Sequence, residues 1–235
     1  EDKFARAAGR AWCNYAFYVG ATAENARDLV ELERLPGCAG VKVFMGTSTG
    51  GLLVADDETL RTVMNSGMRR MAIHSEDEDR LKERRSIAEE AGDVHAHPEW
   101  RDAETAVKAT RRLLALATET GRRVHVLHVT TAEEIELLEH HKDLATVEVT
   151  PQHLTLASPD CYDRLGTLAQ MNPPIRDRRH REALWTGVGQ GVVDVVGSDH
   201  APHTLAEKEA VYPDTPSGMP GVQTLLPILL DHLAA

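Results

Sequence analysis

Short apolar runs and amphipathic stretches alternate along the chain from residue 12 onward. The run AWCNYAFYVGAT is rich in β-formers and closes on Gly20, and ATAENARDLVELERL after it carries a helical period. GVKVFMG at 40–46 is followed by the polar loop TSTGG and then by DDETLRTVMNSG, in which Leu60, Val63 and Met64 share one helix face. RRMAIHSED precedes the charged segment DRLKERRSIAEEAG. RRVHVLHVTT precedes AEEIELLEHHKD, whose inward stripe is Ile135, Leu137 and Leu138. ATVEVTPQHL and GVVDVVGSDHAPH complete the series.

The pattern predicts six strands near 12–22, 40–46, 70–75, 123–130, 145–151 and 191–199, mostly separated by helices. Such alternation belongs to a parallel α/β sheet with crossover helices. Six units do not close an eight-stranded barrel. Either the sheet is open and doubly wound, or two units of a barrel lie outside the sequence. No GxGxxG or GxxxxGKS/T follows any of the strands, which counts against a nucleotide-binding sheet.

Charge and composition narrow the partners. With 26 basic against 37 acidic residues the 235-residue chain carries −11, so it should repel nucleic-acid backbones and anionic membrane surfaces. Cys13, Cys38 and Cys161 are scattered without a CxxC pair, which argues against a disulfide framework or a thiolate zinc site and fits a reducing, cytoplasmic setting. No run approaches the roughly 18 apolar residues of a membrane span, and no signal-peptide pattern opens the chain. EDKFARAAGR reads as a helix already under way, and LLPILLDHLAA stops inside a helical pattern. The expectation is one partial domain over residues 1–235, cut at both ends.

Candidate chemistry gathers where the strands end. Lys42, His74, His128 and Asp199 each stand near the carboxyl end of a different apolar run, the end at which barrel enzymes build their sites. Singly, each has an ordinary structural role: a hydrogen-bonded core histidine, a snorkelling lysine, a helix-capping aspartate. Their coincidence at one end of four strands is what points to a site. Lys42 is flanked by Val41 and Val43, and desolvation should lower its pKa. A neutral lysine amine can add carbon dioxide, giving a carbamate whose two oxygens bridge two cations. His74 and His128 would then supply imidazoles to one cation, and Asp199 would bind the other while moving a proton.

Other histidines read differently. His125 and His128 lie three apart, which on a strand points them to opposite faces, so His125 is expected to pack against a helix. His95 and His97 have HxH spacing but stand in a Gly/Asp/Pro-bounded loop with no apolar run leading in, which reads as a decoy. His140 and His141 fall at the exposed end of a charged helix.

Taken together, these segments resemble the dihydroorotases of the amidohydrolase superfamily and, more loosely, the hydantoinases and allantoinases. GVKVFMGTSTG looks like that family's carbamylated-lysine strand, AIHSEDE and VHVLHVTTAEE its two histidine strands, and EVTPQHL the strand after them. MNPPIR resembles a substrate loop, GSDHAPHT the aspartate strand, and PSGMPGVQTLLP the segment that follows in bacterial members. DHAPH favours dihydroorotase over its relatives.

The resemblance implies a (β/α)8 TIM-type barrel, of which this chain would cover about the third to eighth strand units. It implies a two-zinc site hydrolysing the cyclic amide of dihydroorotate to N-carbamoyl-aspartate, reversibly, in pyrimidine biosynthesis. Residue by residue, carbamylated Lys42 bridges the zincs, His74 and His128 bind the second zinc, Asp199 is ligand and general base, and Asn172 and His203 contact substrate. The family's first-strand HxHxR motif and second-strand asparagine are not in this sequence, nor are its C-terminal helix and accessory β-sandwich portions, so the fragment alone is expected to be inactive. Two alternatives stay open: a hydantoinase or allantoinase acting on a related cyclic ureide, and an inactive barrel that binds an aspartate transcarbamoylase. A homodimer or such a transcarbamoylase complex are the macromolecular partners the resemblance implies.

Overall fold

The computed structural model describes residues 2–48 and 51–234. Six strands form one sheet: β1 (Phe17–Gly20), β2 (Cys38–Phe44), β3 (Met71–His74), β4 (Val124–Val126), β5 (Ala145–Val149) and β6 (Val195–Val196). Every pairing is parallel, and the strands lie side by side in chain order. That order removes one of the two architectures left open by the sequence. A doubly wound sheet reverses direction at a switch point. Here the sheet advances without reversal, as the wall of a (β/α)8-type barrel does. Five of the strands are shorter than their predicted runs, most of all β4 and β6, while β2 keeps its predicted length but starts and ends two residues earlier.

The pleat divides each strand between two environments. Val41, Val43, Met71, Ile73, Val124, Val126, Ala145, Val147 and Val149 are buried and point outward into a core shared with the crossover helices. Leu60, Val63 and Met64 come from the helix Asp57–Asn65, Leu113, Leu114 and Ala117 from Ala103–Thr120, Ile135 and Leu138 from Ala132–Glu139, and Leu184 from Arg178–Gly189. Each Val, Leu, Ile or Met side chain among these contributes about 1.5–3 kcal/mol relative to exposure. The helices start where short polar side chains cap them. Asp56 accepts from Thr59 N at 2.7 Å, Asp102 accepts from Thr105 N at 3.0 Å, and Thr131 with Glu134 forms a capping box.

The alternate residues point inward. Register sets Lys42 beside Ala72, Ala72 beside His125, and His125 beside Thr146, with His74 beside Phe44 one pleat nearer the carboxyl ends. A smaller core of Ala88, Val94, Cys161, Tyr162, Ala169, Met171, Ile175 and Tyr212 braces the loops above the sheet. Tyr162 holds the 171–175 loop through its hydroxyl, which accepts from Ile175 N at 3.2 Å. The helix Leu225–Ala234 leaves Leu226, Leu230 and Leu233 exposed, as β1 leaves Tyr18 and β6 leaves Val195. The three cysteines are unbonded to one another, and among the described residues no helix is long and apolar enough to cross a membrane.

Candidate functional site

Lys42 is inward-facing on β2, and His74 is the last residue of β3, fully enclosed. His128 and Asp199 are not on strands. His128 lies two residues beyond β4, Asp199 three beyond β6, and both have left-handed backbones, φ +38° and +41°. Among the described residues they are the two non-glycine positions with positive φ. Such conformations are uncommon for residues with a Cβ, although Asp and His adopt them more readily than most, and they cluster at functional sites.

The left-handed turn corrects the expectation for His125. Alternation was expected to send His125 outward and His128 inward, but β4 ends at Val126, so strand geometry does not carry through to His128. Both rings lie on the inner side. His125 packs at mid-height, its Nδ1 2.8 Å from Thr146 Oγ1 and its Nε2 3.4 Å from Glu148 Oε2, and touches the sheet's own inner residues rather than a helix.

Five of the six candidates line one cavity of about 190 Å³ at the carboxyl ends of the strands: Lys42, His74, His128, Asn172 and Asp199, joined by Ser48 and Ser217. His203 stands behind this wall. Its Nε2 is 3.3 Å from Ser217 O and would crowd any Cβ placed on Gly218, which approaches the Ala201 carbonyl too closely for a side chain.

The two histidines are edge to face, with His74 Nδ1 3.1 Å from His128 Nε2. His74 Nε2 is 2.8 Å from Glu76 Oε2. Burial alone would raise the Glu76 carboxyl, but Arg101 and His74 overcome it and hold the group well below the usual carboxylate range. An ionised Glu76 accepts only, so His74 Nε2 carries the proton and a neutral His74 presents its Nδ1 lone pair to the cavity. Burial lowers the pKa of both rings, His128 especially, where His74 and Lys42 add to the effect. His128 Nδ1 is buried with no hydrogen-bond partner among the described residues.

Lys42 Nζ lies 4.5 Å from the centre of the Phe44 ring. Burial pulls its pKa down to about 8 against the opposing charges of Asp199 and Glu148, leaving a substantial neutral fraction near pH 8. Asp199 is exposed as a residue, yet the protein around its carboxyl raises its pKa while Lys42 opposes.

These residues suit a cation. Two nitrogens bound to one tetrahedral zinc stand about 3.3 Å apart, close to the separation seen here, and the carboxylate behind His74 is the usual device for fixing a ligand's tautomer. Among the described residues no three His, Cys, Asp or Glu side chains form a ready-made cage. The donor set reaches three only if Lys42 contributes oxygen.

Two residues of this constellation escaped the sequence reading. Glu76 had a signal, since it stands two positions after His74 in AIHSED, on the same side of an extended chain. Arg101 had none. It arrives from 25 residues away, gripping both Glu76 oxygens and donating to Thr47 O at 2.8 Å. Of the HxH pair, His95 is a surface residue between Asp93 and Asp163, whereas His97 is buried against Asn172. His140 is exposed beyond its helix, and His141 Nδ1 lies 2.9 Å from Leu137 O.

No family model matches the chain. Among curated proteins it is 38% identical over 192 residues to a dihydroorotase of Halobacterium salinarum, covering 80% of this chain and 44% of the relative. It is 36% identical over 225 residues to a dihydroorotase of Methanosarcina mazei, covering 90% and 48%. The chain spans about half the length of the curated relatives it matches. Among solved structures, an L-hydantoinase (dihydropyrimidinase) from Arthrobacter aurescens superposes with TM-score 0.89 at 26% identity, covering 97% of this chain and 53% of that one. A dihydropyrimidinase from Brevibacillus agri gives 0.83 at 25% identity, covering 94% and 51%.

Proposed function

We propose that this chain, which resembles the dihydroorotases in sequence over most of its length, supplies most of the active site of a metal-dependent cyclic amidohydrolase. Its reaction would be the reversible hydrolysis of dihydroorotate to N-carbamoyl-aspartate. The observation that carries this reading is the meeting of Lys42, His74, His128 and Asp199 at one cavity, from four separate strand ends. Any one of them could serve an ordinary solvated or core role, but such roles leave the gathering of all four around one cavity without a reason.

Lys42, as its carbamate, would bridge two zincs, with His74 and His128 on one and Asp199 on the other. Bound there, the cations would polarise the ring carbonyl and ease deprotonation of the attacking water. Asp199 would take the proton from that water and return it to the ring nitrogen as the amide bond breaks, general base and then general acid. Glu76 holds His74 in the tautomer this requires, and Arg101 keeps Glu76 ionised. Asn172, which lines the cavity, is the candidate for holding substrate polar groups, whereas His203, set against Ser217 O outside the lining, would brace that wall rather than touch substrate. In this reading the chain corresponds to the third to eighth units of the barrel, and the first two, with the HxHxR ligands, would come from sequence outside it.

Dihydroorotate is favoured over hydantoin because the dihydroorotases match at 32–38% identity, whereas the hydantoinases share the architecture at 20–26%. The presence of all four ligands expected within this span favours a working enzyme over an inactive transcarbamoylase partner. Turnover of dihydroorotate, hydantoin and allantoin by the full-length, zinc-loaded protein tests the reading. Hydrolysis of hydantoin or allantoin in preference to dihydroorotate would replace the substrate, and no hydrolysis of any of the three would remove the enzyme.

A further inference from the structure

His97 plays no part in the scheme above, yet it is completely buried beside the cavity wall. Its Nε2 lies 3.1 Å from Met171 O and 3.0 Å from Asn172 Oδ1. A backbone carbonyl can only accept, so Nε2 must carry the proton. The Asn172 atom facing it must therefore be the carbonyl oxygen, since an NH2 there would set donor against donor. On the other ring edge, Nδ1 accepts from the Tyr212 hydroxyl at 3.2 Å. Trp100 and Tyr212 meet the imidazole in T-shaped contacts, with ring centres 5.8 and 5.7 Å away. Burial and the nearby Arg101 hold the ring neutral, its pKa down to about 3.

Asn172 occupies a junction. It lines the cavity of the candidate ligands and also a neighbouring one of about 260 Å³ walled by Thr47, Trp100 and Arg101, the two meeting at Ser48, Asn172 and Ser217. With its oxygen taken by His97, the amide directs Nδ2 away, towards Ser48 Oγ at 3.5 Å. That contact is long, so the donor is free to engage a better acceptor.

We propose that His97 is a positioning residue: by donating to Asn172 Oδ1 it fixes the amide so that its NH2 faces the cavity and recognises a carbonyl or carboxylate oxygen of the substrate. The wall is thereby a donor surface, selective for ligands presenting an acceptor at that point. The proposal rests on the dihydroorotase reading and deepens it.

A double-mutant cycle in the full-length, zinc-loaded protein tests it, with kcat, KM and bound zinc measured for dihydroorotate hydrolysis by His97→Leu, His97→Gln, Asn172→Ala and the His97→Leu/Asn172→Ala pair. His97→Leu should raise KM about five- to tenfold, the size of one hydrogen bond, with kcat and zinc content nearly unchanged. His97→Gln, which keeps an N–H donor, should recover most of the loss. With Asn172 already replaced by Ala, His97→Leu should add nothing. Additive effects of the two substitutions, or a glutamine no better than leucine, would overturn the proposal. If Asn172→Ala leaves KM unchanged, Asn172 is no substrate contact and the proposal fails with that assignment. Absence of turnover in the unsubstituted protein would instead bring down the dihydroorotase reading itself.

Discussion

His74 Nδ1 and His128 Nε2 approach to 3.1 Å although 54 residues separate them in the chain. Neighbouring parallel strands bring their backbones together, but the setting of the His74 ring also depends on what lies behind it. Glu76 holds His74 from the far side, and Arg101 holds Glu76.

Glu76→Gln should therefore act at a distance. An amide can donate to His74 Nε2 as readily as accept, so the tautomer is no longer imposed, and zinc affinity is expected to fall about 10–100-fold. Arg101 would also lose its buried counter-charge, and breaking such a pair costs about 3–5 kcal/mol. Chelator competition reads the first effect and urea unfolding the second. Unchanged zinc affinity would show that Glu76 does not orient the ligand.

Asp199→Asn should keep the fold, since asparagine has nearly the same shape and also tolerates the left-handed backbone found there, but lower kcat for dihydroorotate by about 10²–10⁴-fold through loss of proton transfer. The steady-state rate across pH checks it. Undiminished turnover would remove Asp199 as the base.

Lys42→Ala should abolish uptake of ¹³C-labelled carbon dioxide at the protein and reduce the zinc held per chain. A short carboxylic acid supplied in solution should restore part of it by standing in for the carbamate. A carbamate signal of equal strength in the alanine variant would assign the group elsewhere.

Acid stability should carry the mark of His153. It is buried, with Nε2 donating to Pro173 O at 3.0 Å and Nδ1 accepting from Thr150 Oγ1 at 2.8 Å, and burial draws its pKa from 6.5 to about 4. Between those values the unfolded chain binds a proton that the folded one refuses. Stability is thus lost as pH falls through this window, by up to about 1.4 kcal/mol per pH unit from this residue. Urea midpoints measured from pH 7 to 4 should decline less steeply in His153→Gln, and an identical slope would place the acid sensitivity elsewhere.

Much of this architecture could be read from residue order because it rests on local rules. Alternating apolar runs marked six strands, and Leu60, Val63 and Met64 marked the face of a crossover helix, since burial of that face is what makes the helix form. Lys42 and His74 were legible for the same reason, each being an oddity inside an apolar run. His125 was misplaced because a period of two holds only while the strand lasts, and nothing in VHVLHVTT announces its end at Val126. Arg101 and the partnership of His97 with Asn172 were invisible, as they depend on loops that converge only after the sheet has formed. Strand order, not composition, separated the barrel wall from the doubly wound sheet.

The left-handed backbones at His128 and Asp199 have an evolutionary consequence. Each conformation costs of order 1 kcal/mol that glycine would not incur, so substitution to glycine at either position should relieve the backbone while removing a proposed ligand. If His128 and Asp199 hold the cation as proposed, the residues a relative carries at these two positions would report on its chemistry more directly than overall similarity does, because there stability and activity would pull in opposite directions.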